Sequence, residues 1–255
     1  ASSAAMATEM LRSDAPWAMA RMLALARARV NIRASAQGAS ERNISVAIAA
    51  EDATRGLRAA HAAFWLSPQT LALAVIGPGK VGAALLDQLQ AALPRLRSEA
   101  NVDLRLRALA TSRRMWLCDH GDPADWRTRI AEEPQPADLD AITTHLLDSH
   151  LPHAVVIDCS ASDSVAAQYP AWLAAGIHVI TPNKHAGAGP LPRYAAIREA
   201  RASSGARFRY EATVGAGLPV ISTLRDLLDT GDELVAVDGI LSGTLAWLFN
   251  KFDGS

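Results

Sequence analysis

Several things are scarce or absent in these 255 residues, and each absence narrows the field. Charge imbalance is the first: 25 basic against 26 acidic residues leave a formal net charge of −1. Nothing in that balance draws the chain toward nucleic acid or anionic lipid, so no nucleic-acid or membrane partner is expected. Long apolar runs are missing too. No window reaches the ~18 apolar residues of a membrane helix, and the opening "ASSAAMATEM" lacks the basic start and apolar stretch of a signal peptide. It also lacks an initiator methionine, so the chain reads as a piece of something longer. Cysteine is limited to Cys118 and Cys159, far apart in sequence; in a chain this size the pair reads as two reduced thiols, which suits the cytoplasm. There is no internal repeat, no low-complexity tract and no G-x-S-x-G nucleophile elbow. The histidines make no helical i, i+4 pair with a nearby acid. His145, His150 and His153 cluster across a predicted helix end and a proline, so no metal site is expected there.

What is present is a chain half hydrophobic, long enough for about two domains and for a sizeable core. Its partners are expected to be small molecules or other subunits. "PWAMARMLALARAR" (16–29) has helical spacing and opens on a well-placed proline. Val30, Ile32 and Ala34 alternate, a Gly-Ala-Ser-Glu turn follows, and Ile44, Val46 and Ile48 alternate again, which predicts two strands. A helix over 55–65, capped by Asp52 or Thr54, completes a small α+β unit. "SPQT" (67–70) then punctuates the chain.

From residue 71 strands and helices alternate, the pattern of a parallel sheet with helices on both faces. Strands are predicted over 71–76, 102–110, 153–162 and 176–184, and helices over 81–93 and 193–204. A further helix carries Ala166, Ala167, Tyr169, Trp172 and Leu173. The stretch 111–140 is polar and resists assignment. "GILSGTLAWLFNKF" (239–252) passes from strand through Ser242 into a helix start, an anion-friendly terminus.

Within "LALAVIGPGKVGAALLDQL" (71–89), Gly77, Gly79 and Gly82 follow a predicted strand and open a predicted helix, the context a dinucleotide fingerprint requires. Gly77 permits the sharp turn, Gly79 the approach of backbone to a pyrophosphate, and Gly82 close packing of helix on strand. The helix amino terminus adds free N–H groups and partial positive charge. A bare glycine turn with no ligand is the alternative, and the continuing strand–helix alternation speaks against it. At the end of the second strand, where the ribose is read, an acid would favour NAD and an arginine NADP. The acid available, Asp103, sits at the wrong end, whereas Thr111, Ser112, Arg113 and Arg114 sit at the right one. The reading leans to NADP, with an exposed solvated face as its rival.

Two more strand ends are polar. One offers Asp158, Cys159, Ser160 and Ser162, the other Thr181, Pro182, Asn183 and Lys184. Lys184 would lie beside a bound nicotinamide, able to orient or protonate an oxygen during hydride transfer. In "YEATVGAGLPVISTL" (210–224), Glu211 and irregular backbone carbonyls could hold a hard cation or form an ordinary exposed loop.

Taken together, "AVIGPGKVGAALLDQL", "VVIDCSASDSVAAQYPAWLAAGIHVITPNKHA", "YEATVGAGLPVI" and "GDELVAVDGILSGTLAWLFNKFDG" resemble homoserine dehydrogenase, in particular the carboxyl-terminal part of the bifunctional aspartokinase/homoserine dehydrogenases. Residues 17–66 resemble the last ACT-type regulatory module of those enzymes. The resemblance implies a Rossmann-type doubly wound parallel α/β sheet (68–208). An incomplete ACT-like α+β module (1–67) precedes it, and the truncated start of an α+β catalytic domain (209–255) follows. It implies interconversion of L-aspartate 4-semialdehyde and L-homoserine with NAD or NADP, in threonine and methionine biosynthesis, by a homo-oligomer. Gly77, Gly79, Lys80, Val81 and Gly82 match the family's cofactor loop, Ser160 the nicotinamide-side contact, and Lys184 the catalytic lysine at cofactor and substrate. Glu211, Val214, Ala216 and Leu218 match its monovalent cation site (Na⁺ or K⁺), and Gly243 and Thr244 its substrate loop. Gln37 falls where such ACT modules sense an amino acid, typically threonine. The family's second lysine and substrate-binding acids lie beyond the S-G-T segment, so the chain alone is expected to bind dinucleotide and turn over poorly. Another semialdehyde or imine reductase on the same scaffold, and a non-catalytic amino-acid sensor with a structural dinucleotide domain, stay open as alternatives.

Overall fold

The computed structural model describes residues 25–26, 28–37, 44–65, 69–132, 135–148, 151, 153–239 and 242–252. The chain packs as two compact units. One comprises Ala1–Ala74, Leu85–Leu109 and Arg114–Ala154, the other Val75–Ala84, Ala110–Arg113 and Val155–Ser255.

In the first unit, strands β1 (Ile32–Gln37) and β2 (Ile44–Ile48) pair antiparallel, with Ser35 opposite Val46 and Gln37 opposite Ile44. Val46 and Ile48 give β2 one apolar face, to which β1 adds Ile32 alone, with a register shift between Ile32 and Ala34. That face meets Leu25 and Val30 in a small core with Ile48. Helix α1 (Ala53–Trp65) follows, and Gly56 lets it sit close: a Cβ there would lie 2.6 Å from Ile48 Cδ1. Asp52, expected as a cap, has another use. It is buried in a 3-10 turn (Ala50–Asp52), where its carboxylate accepts the Asn31 N–H at 3.0 Å and pairs with Arg55. Most of the helix expected over 16–29, the turn expected at 38–41 and part of "SPQT" lie outside the described residues; Leu25 and Ala26 are helical.

Seven further strands form one sheet. They are β3 (Gln69–Ile76), β4 (Val102–Ala110), β5 (Arg114–Gly121), β6 (Gln135–Pro136), β7 (His153–Asp158), β8 (His178–Ile180) and β9 (Phe208–Arg209), in the order β6-β5-β4-β3-β7-β8-β9. β7 and β8 run parallel, as do β8 and β9, whereas β5 and β6 pair antiparallel. The unassigned stretch 111–140 therefore holds an antiparallel edge, with β5 following β4 after three residues and no helix between them. The helices are α2 (Lys80–Glu99), α3 (Trp126–Glu132), α4 (Leu139–Leu147), α5 (Asp163–Ala166), α6 (Tyr169–Ala174), α7 (His185–Ala188), α8 (Leu191–Ser204), α9 (Val220–Asp229) and α10 (Gly243–Lys251). One helix was expected around Tyr169; two short ones, α5 and α6, occupy that stretch.

β3 reads as an unbroken apolar run because both its faces are covered: Ala72 through Ile76 are each at most 3% exposed. In the second unit the core is made by Val156 of β7, Val179 of β8, Phe208 of β9 and the buried face of α6, with Tyr169, Trp172 and Leu173. α6 packs on α8 through Ile197 and Ala200. Gly205 ends α8 at φ +74°, the left-handed stop that a side chain would strain. α9 and α10 differ from all of these in having no buried residue.

Candidate dinucleotide site at the strand ends

The carboxyl ends of β3, β4 and β7 are stitched side by side. Gly77 N–H donates to the Ala110 carbonyl at 2.8 Å, and Cys159 N–H to the Ile76 carbonyl at 2.8 Å. Sheet neighbours whose carboxyl ends meet run the same way, so the glycine loop emerges where ligands of open α/β sheets collect.

The three glycines are required for three different reasons. Gly77 holds φ +79°, and a Cβ on it would lie 2.7 Å from Ser160 N, inside van der Waals contact. A Cβ on Gly82 would lie 2.4 Å from the Gly77 carbonyl, so only a bare residue lets α2 start so close to the strand. Gly79 is the opposite case: a Cβ there meets nothing within 4 Å. The chain's own packing does not demand a glycine at 79, whereas a diphosphate laid against this backbone would. α2 begins at Lys80, and its first internal bond runs from Ala83 N–H to the Gly79 carbonyl. The amides of Lys80, Val81 and Gly82 are left without partners inside the helix, and they carry the positive end of its dipole. The Lys80 and Val81 side chains are exposed beside them.

Thr111, Ser112 and Arg113 form the short connection after β4. Thr111 Oγ1 accepts the Arg113 N–H at 3.2 Å, and the Ser112 and Arg113 side chains stand in solvent. Arg114 belongs to the other unit, as the first residue of β5, opposite Pro136. Asp103, at the far end of β4, is held by Arg105 (2.8 Å) and Arg97 (3.2 Å). Burial works against its charge, but the two guanidinium groups prevail and hold its carboxyl below the usual range.

The ends of β7 and β8 are joined by a buried polar knot. Asp158 is fully buried, and its carboxylate accepts three donors: the Ser160 N–H on Oδ1 (2.8 Å), and the Tyr169 hydroxyl (2.5 Å) and Asn183 Nδ2 (3.0 Å) on Oδ2. Thr181 Oγ1 donates to the Asp158 carbonyl at 2.8 Å and lies 2.9 Å from the Tyr169 oxygen. Hydrogen bonds to a charged group are worth about 1.5–3 kcal/mol each, which is how a carboxylate survives in such a place. Burial, and then the Asp158 charge, push the Tyr169 phenol well above its ordinary value. The same two causes push the Cys159 thiol up to about 11. Ser160 Oγ accepts the Ser162 N–H at 3.2 Å.

Lys184 opens α7 with its side chain exposed, and among the described residues its ammonium has no hydrogen-bond or ion-pair partner. It borders a cleft of about 360 Å³ walled by Ala186, Tyr194, Phe208, Tyr210 and Val214. Glu211 stands in a 3-10 turn (Glu211–Thr213). Its Oε1 is engaged by Arg225 at 2.5 Å and Arg209 at 3.3 Å. Beyond it Gly215 and Ala216 are both left-handed, at φ +73° and +52°, and the Leu218 carbonyl accepts the Val220 N–H at 2.9 Å. Gly243 and Thr244 form the exposed first turn of α10, capped by Ser242 Oγ on the Leu245 N–H at 3.2 Å. No hydrogen bond links them to Lys184 or to the glycine loop among the described residues. Of the strand expected at 239–241, Gly239 is a bend and the rest lies outside the described residues. Gln37 ends β1 in the other unit.

Sequence reasoning missed Tyr169 as a polar partner, because its helical spacing with Trp172 and Leu173 reads as core. It also missed the two arginines on Glu211, one of them fourteen residues downstream. No cluster of metal-ligating side chains occurs among the described residues, and no disulfide joins Cys118 to Cys159. No described helix is long and apolar enough to cross a membrane.

Residues 77–211 match the family model for the NAD-binding domain of homoserine dehydrogenase, and residues 14–64 match an ACT domain model. The chain belongs to the homoserine dehydrogenase family. The chloroplastic bifunctional aspartokinase/homoserine dehydrogenase 1 of Zea mays is 50% identical over 234 residues, 91% of this chain and 25% of its own length. The bifunctional aspartokinase/homoserine dehydrogenase of Haemophilus influenzae is 38% identical over 90% of this chain and 28% of its own. The chain thus spans about a quarter of the length of the bifunctional relatives it matches. Among solved structures, a Candida auris protein of unknown function aligns over 71% of this chain and 50% of its own, with a TM-score of 0.63 and 32% identity. A hyperthermophilic archaeal homoserine dehydrogenase, solved in complex with NADPH, has the same fold (TM-score 0.50, 23% identity, 63% of this chain and 50% of its own).

Proposed function

We propose that this chain supplies the cofactor side of a homoserine dehydrogenase active site, for the NAD(P)H-dependent interconversion of L-aspartate 4-semialdehyde and L-homoserine. The observation that carries the reading is Gly79. Its missing side chain is unexplained by the protein's own packing and is explained by a diphosphate lying on the amides of Lys80, Val81 and Gly82.

Bound there, the dinucleotide supplies the hydride in one direction and accepts it in the other. The chain's own groups do the rest. Ser160 presents its hydroxyl hydrogen on the nicotinamide side, and Lys184 gives a proton to the aldehyde oxygen as it becomes an alcohol, taking it back in the reverse direction. Hydride and proton together make the alcohol, so the balance closes. The absence of a carboxylate after β4, with Ser112 and Arg113 exposed there, favours NADP over NAD. A monovalent cation would use backbone carbonyls of Val214, Ala216 and Leu218 with Glu211 Oε2, since Oε1 already accepts from Arg209 and Arg225. Gly243 and Thr244 would approach the substrate, and the ACT region, with Gln37, would sense threonine.

The test is NADPH binding by nicotinamide fluorescence, followed by NADP⁺ reduction with L-homoserine set against serine and threonine. The 255 residues are expected to bind NADPH and to turn over homoserine poorly. Absence of NADPH binding would sink the cofactor reading, and equal rates with all three hydroxy amino acids the substrate reading.

A further inference from the structure

Among the described residues Lys184 has no side-chain partner, yet the chemistry assigned to it needs a fixed position, so the constraint must come through its backbone. Asn183 is 3% exposed, and every polar atom of its side chain is used. Nδ2 donates to Asp158 Oδ2 at 3.0 Å and to the Ser162 carbonyl at 2.9 Å, and Oδ1 accepts the His185 N–H at 3.0 Å. Its backbone N–H donates to Thr181 Oγ1 at 2.8 Å. One side chain therefore grips the end of β7, the loop that carries Ser160, and the residue following Lys184. We propose that Asn183 is the positioning residue that sets Lys184 and the Ser160–Ser162 loop in one frame, so that a bound dinucleotide and the Lys184 ammonium are held in register.

Only a short amide meets these demands. Aspartate would set a carboxylate against Asp158 and supply no donor, serine has one donor where two are used, and an apolar residue removes all three side-chain hydrogen bonds. A second tie lies on the outside of the same turn. Arg193 holds Asp163 with both nitrogens (2.6 and 3.0 Å) and donates to the His185 carbonyl at 3.3 Å. It braces α7 against α5 and α8 but touches neither Ser160 nor Lys184, whereas Asn183 ties the Ser162 carbonyl to the N–H of the residue after Lys184.

The inference rests on the cofactor reading above, and its test separates the two. The chain is acylated with acetic anhydride with and without saturating NADPH, Lys184 modification is followed by peptide mass spectrometry, and NADPH affinity is measured in parallel. NADPH is expected to slow acylation of Lys184 about tenfold in the wild type. In Asn183→Ala this protection should drop to about twofold or less while the Kd for NADPH rises less than about threefold, since a site loosened by ~1 Å loses its register before it loses its ligand. Asn183→Asp, which keeps the volume and the acceptor for His185, should lose protection as well, so the outcome does not hang on one variant's folding. Ile197→Val, a trimmed core residue under α8, is the control for general loosening. Protection retained in both Asn183 variants, protection lost equally in Ile197→Val, or NADPH bound to the wild type without protecting Lys184 would each overturn the proposal alone. No NADPH binding to the wild type would overturn the cofactor reading along with it.

Discussion

The ends of β3, β7 and β8 and the segment from Val220 to Phe252 both carry residues of the family's motifs, yet they are built on opposite terms. At the strand ends the chain satisfies itself: Asp158 and Asn183 are buried, their polar atoms are paired, and Gly77 and Gly82 sit against backbone that leaves no room for a side chain. Further along, α9 and α10 bury nothing, and Leu227, Leu228, Trp247, Phe249 and Phe252 are each between 46% and 72% exposed. Geometry that depends on buried hydrogen bonds is fixed by this chain alone, whereas geometry on α10 is fixed by little more than the Ser242 cap. The strand ends are therefore preformed, whereas the Gly243–Thr244 turn rests on that cap.

The glycines break this comparison most sharply. Gly77→Ala must relieve a contact of 2.7 Å and leave a left-handed φ, and such strain costs on the order of 1–3 kcal/mol before any clash. NADPH affinity should fall by about a hundredfold or more, with a lowered Tm. Gly82→Ala should behave alike. Gly79→Ala should weaken binding about tenfold with Tm unchanged, because the new methyl group meets no protein atom and only the ligand feels it. Gly243→Ala, also in open space, should alter NADPH affinity less than about twofold. Titrations and thermal melts of the four variants decide. A Gly79→Ala variant with wild-type affinity would mean that nothing lies against that backbone.

Amide hydrogen exchange sharpens the same contrast without mutation. Residues 72–76 and 155–158 should exchange only through global opening, whereas α9 and α10 should exchange through local fraying, by at least about two orders of magnitude faster, since short helices with no buried face are marginal on their own. Protection of α10 equal to that of β3 would erase the distinction.

How much of this was legible in the sequence follows the same division. The glycine loop could be read because each glycine answers a local demand and the apolar run of β3 announces a doubly covered strand. The β1–β2 ribbon could be read from its alternation. The stretch 111–140 could not, because β5 and β6 lie at an edge, where half-exposed strands lose the apolar signal that marks buried ones. The polar knot was only half visible. Asp158 and Asn183 stood out at strand ends, but Tyr169 looked like core because it is core, a ring stacked 5.9 Å from Trp172 whose hydroxyl alone reaches the carboxylate. Likewise Glu211 looked like an open cation ligand, since nothing local hints that Arg225, one helix later, folds back onto it.

Cys159, which lies between Asp158 and Ser160, reports on the preformed half from inside. Burial, and then the Asp158 charge, raise its thiol to about 11, above an ordinary value near 9.0. The folded chain therefore keeps a proton that the unfolded chain gives up between those values. The contribution to stability is fully present below about pH 9 and is lost as pH rises through 11. Reactivity follows the same sign, because the thiolate is the nucleophile. At pH 8.5 iodoacetamide should label Cys159 on the order of a hundredfold more slowly than a free thiol, with the rate still climbing at pH 10, where a free thiol has levelled off. Asp158→Asn should move the midpoint down, though not to the free value, since burial is the larger cause. A Cys159 rate that levels off near pH 9 in the wild type would show that the end of β7 is open to water, and the strand ends would then be no better fixed than α10.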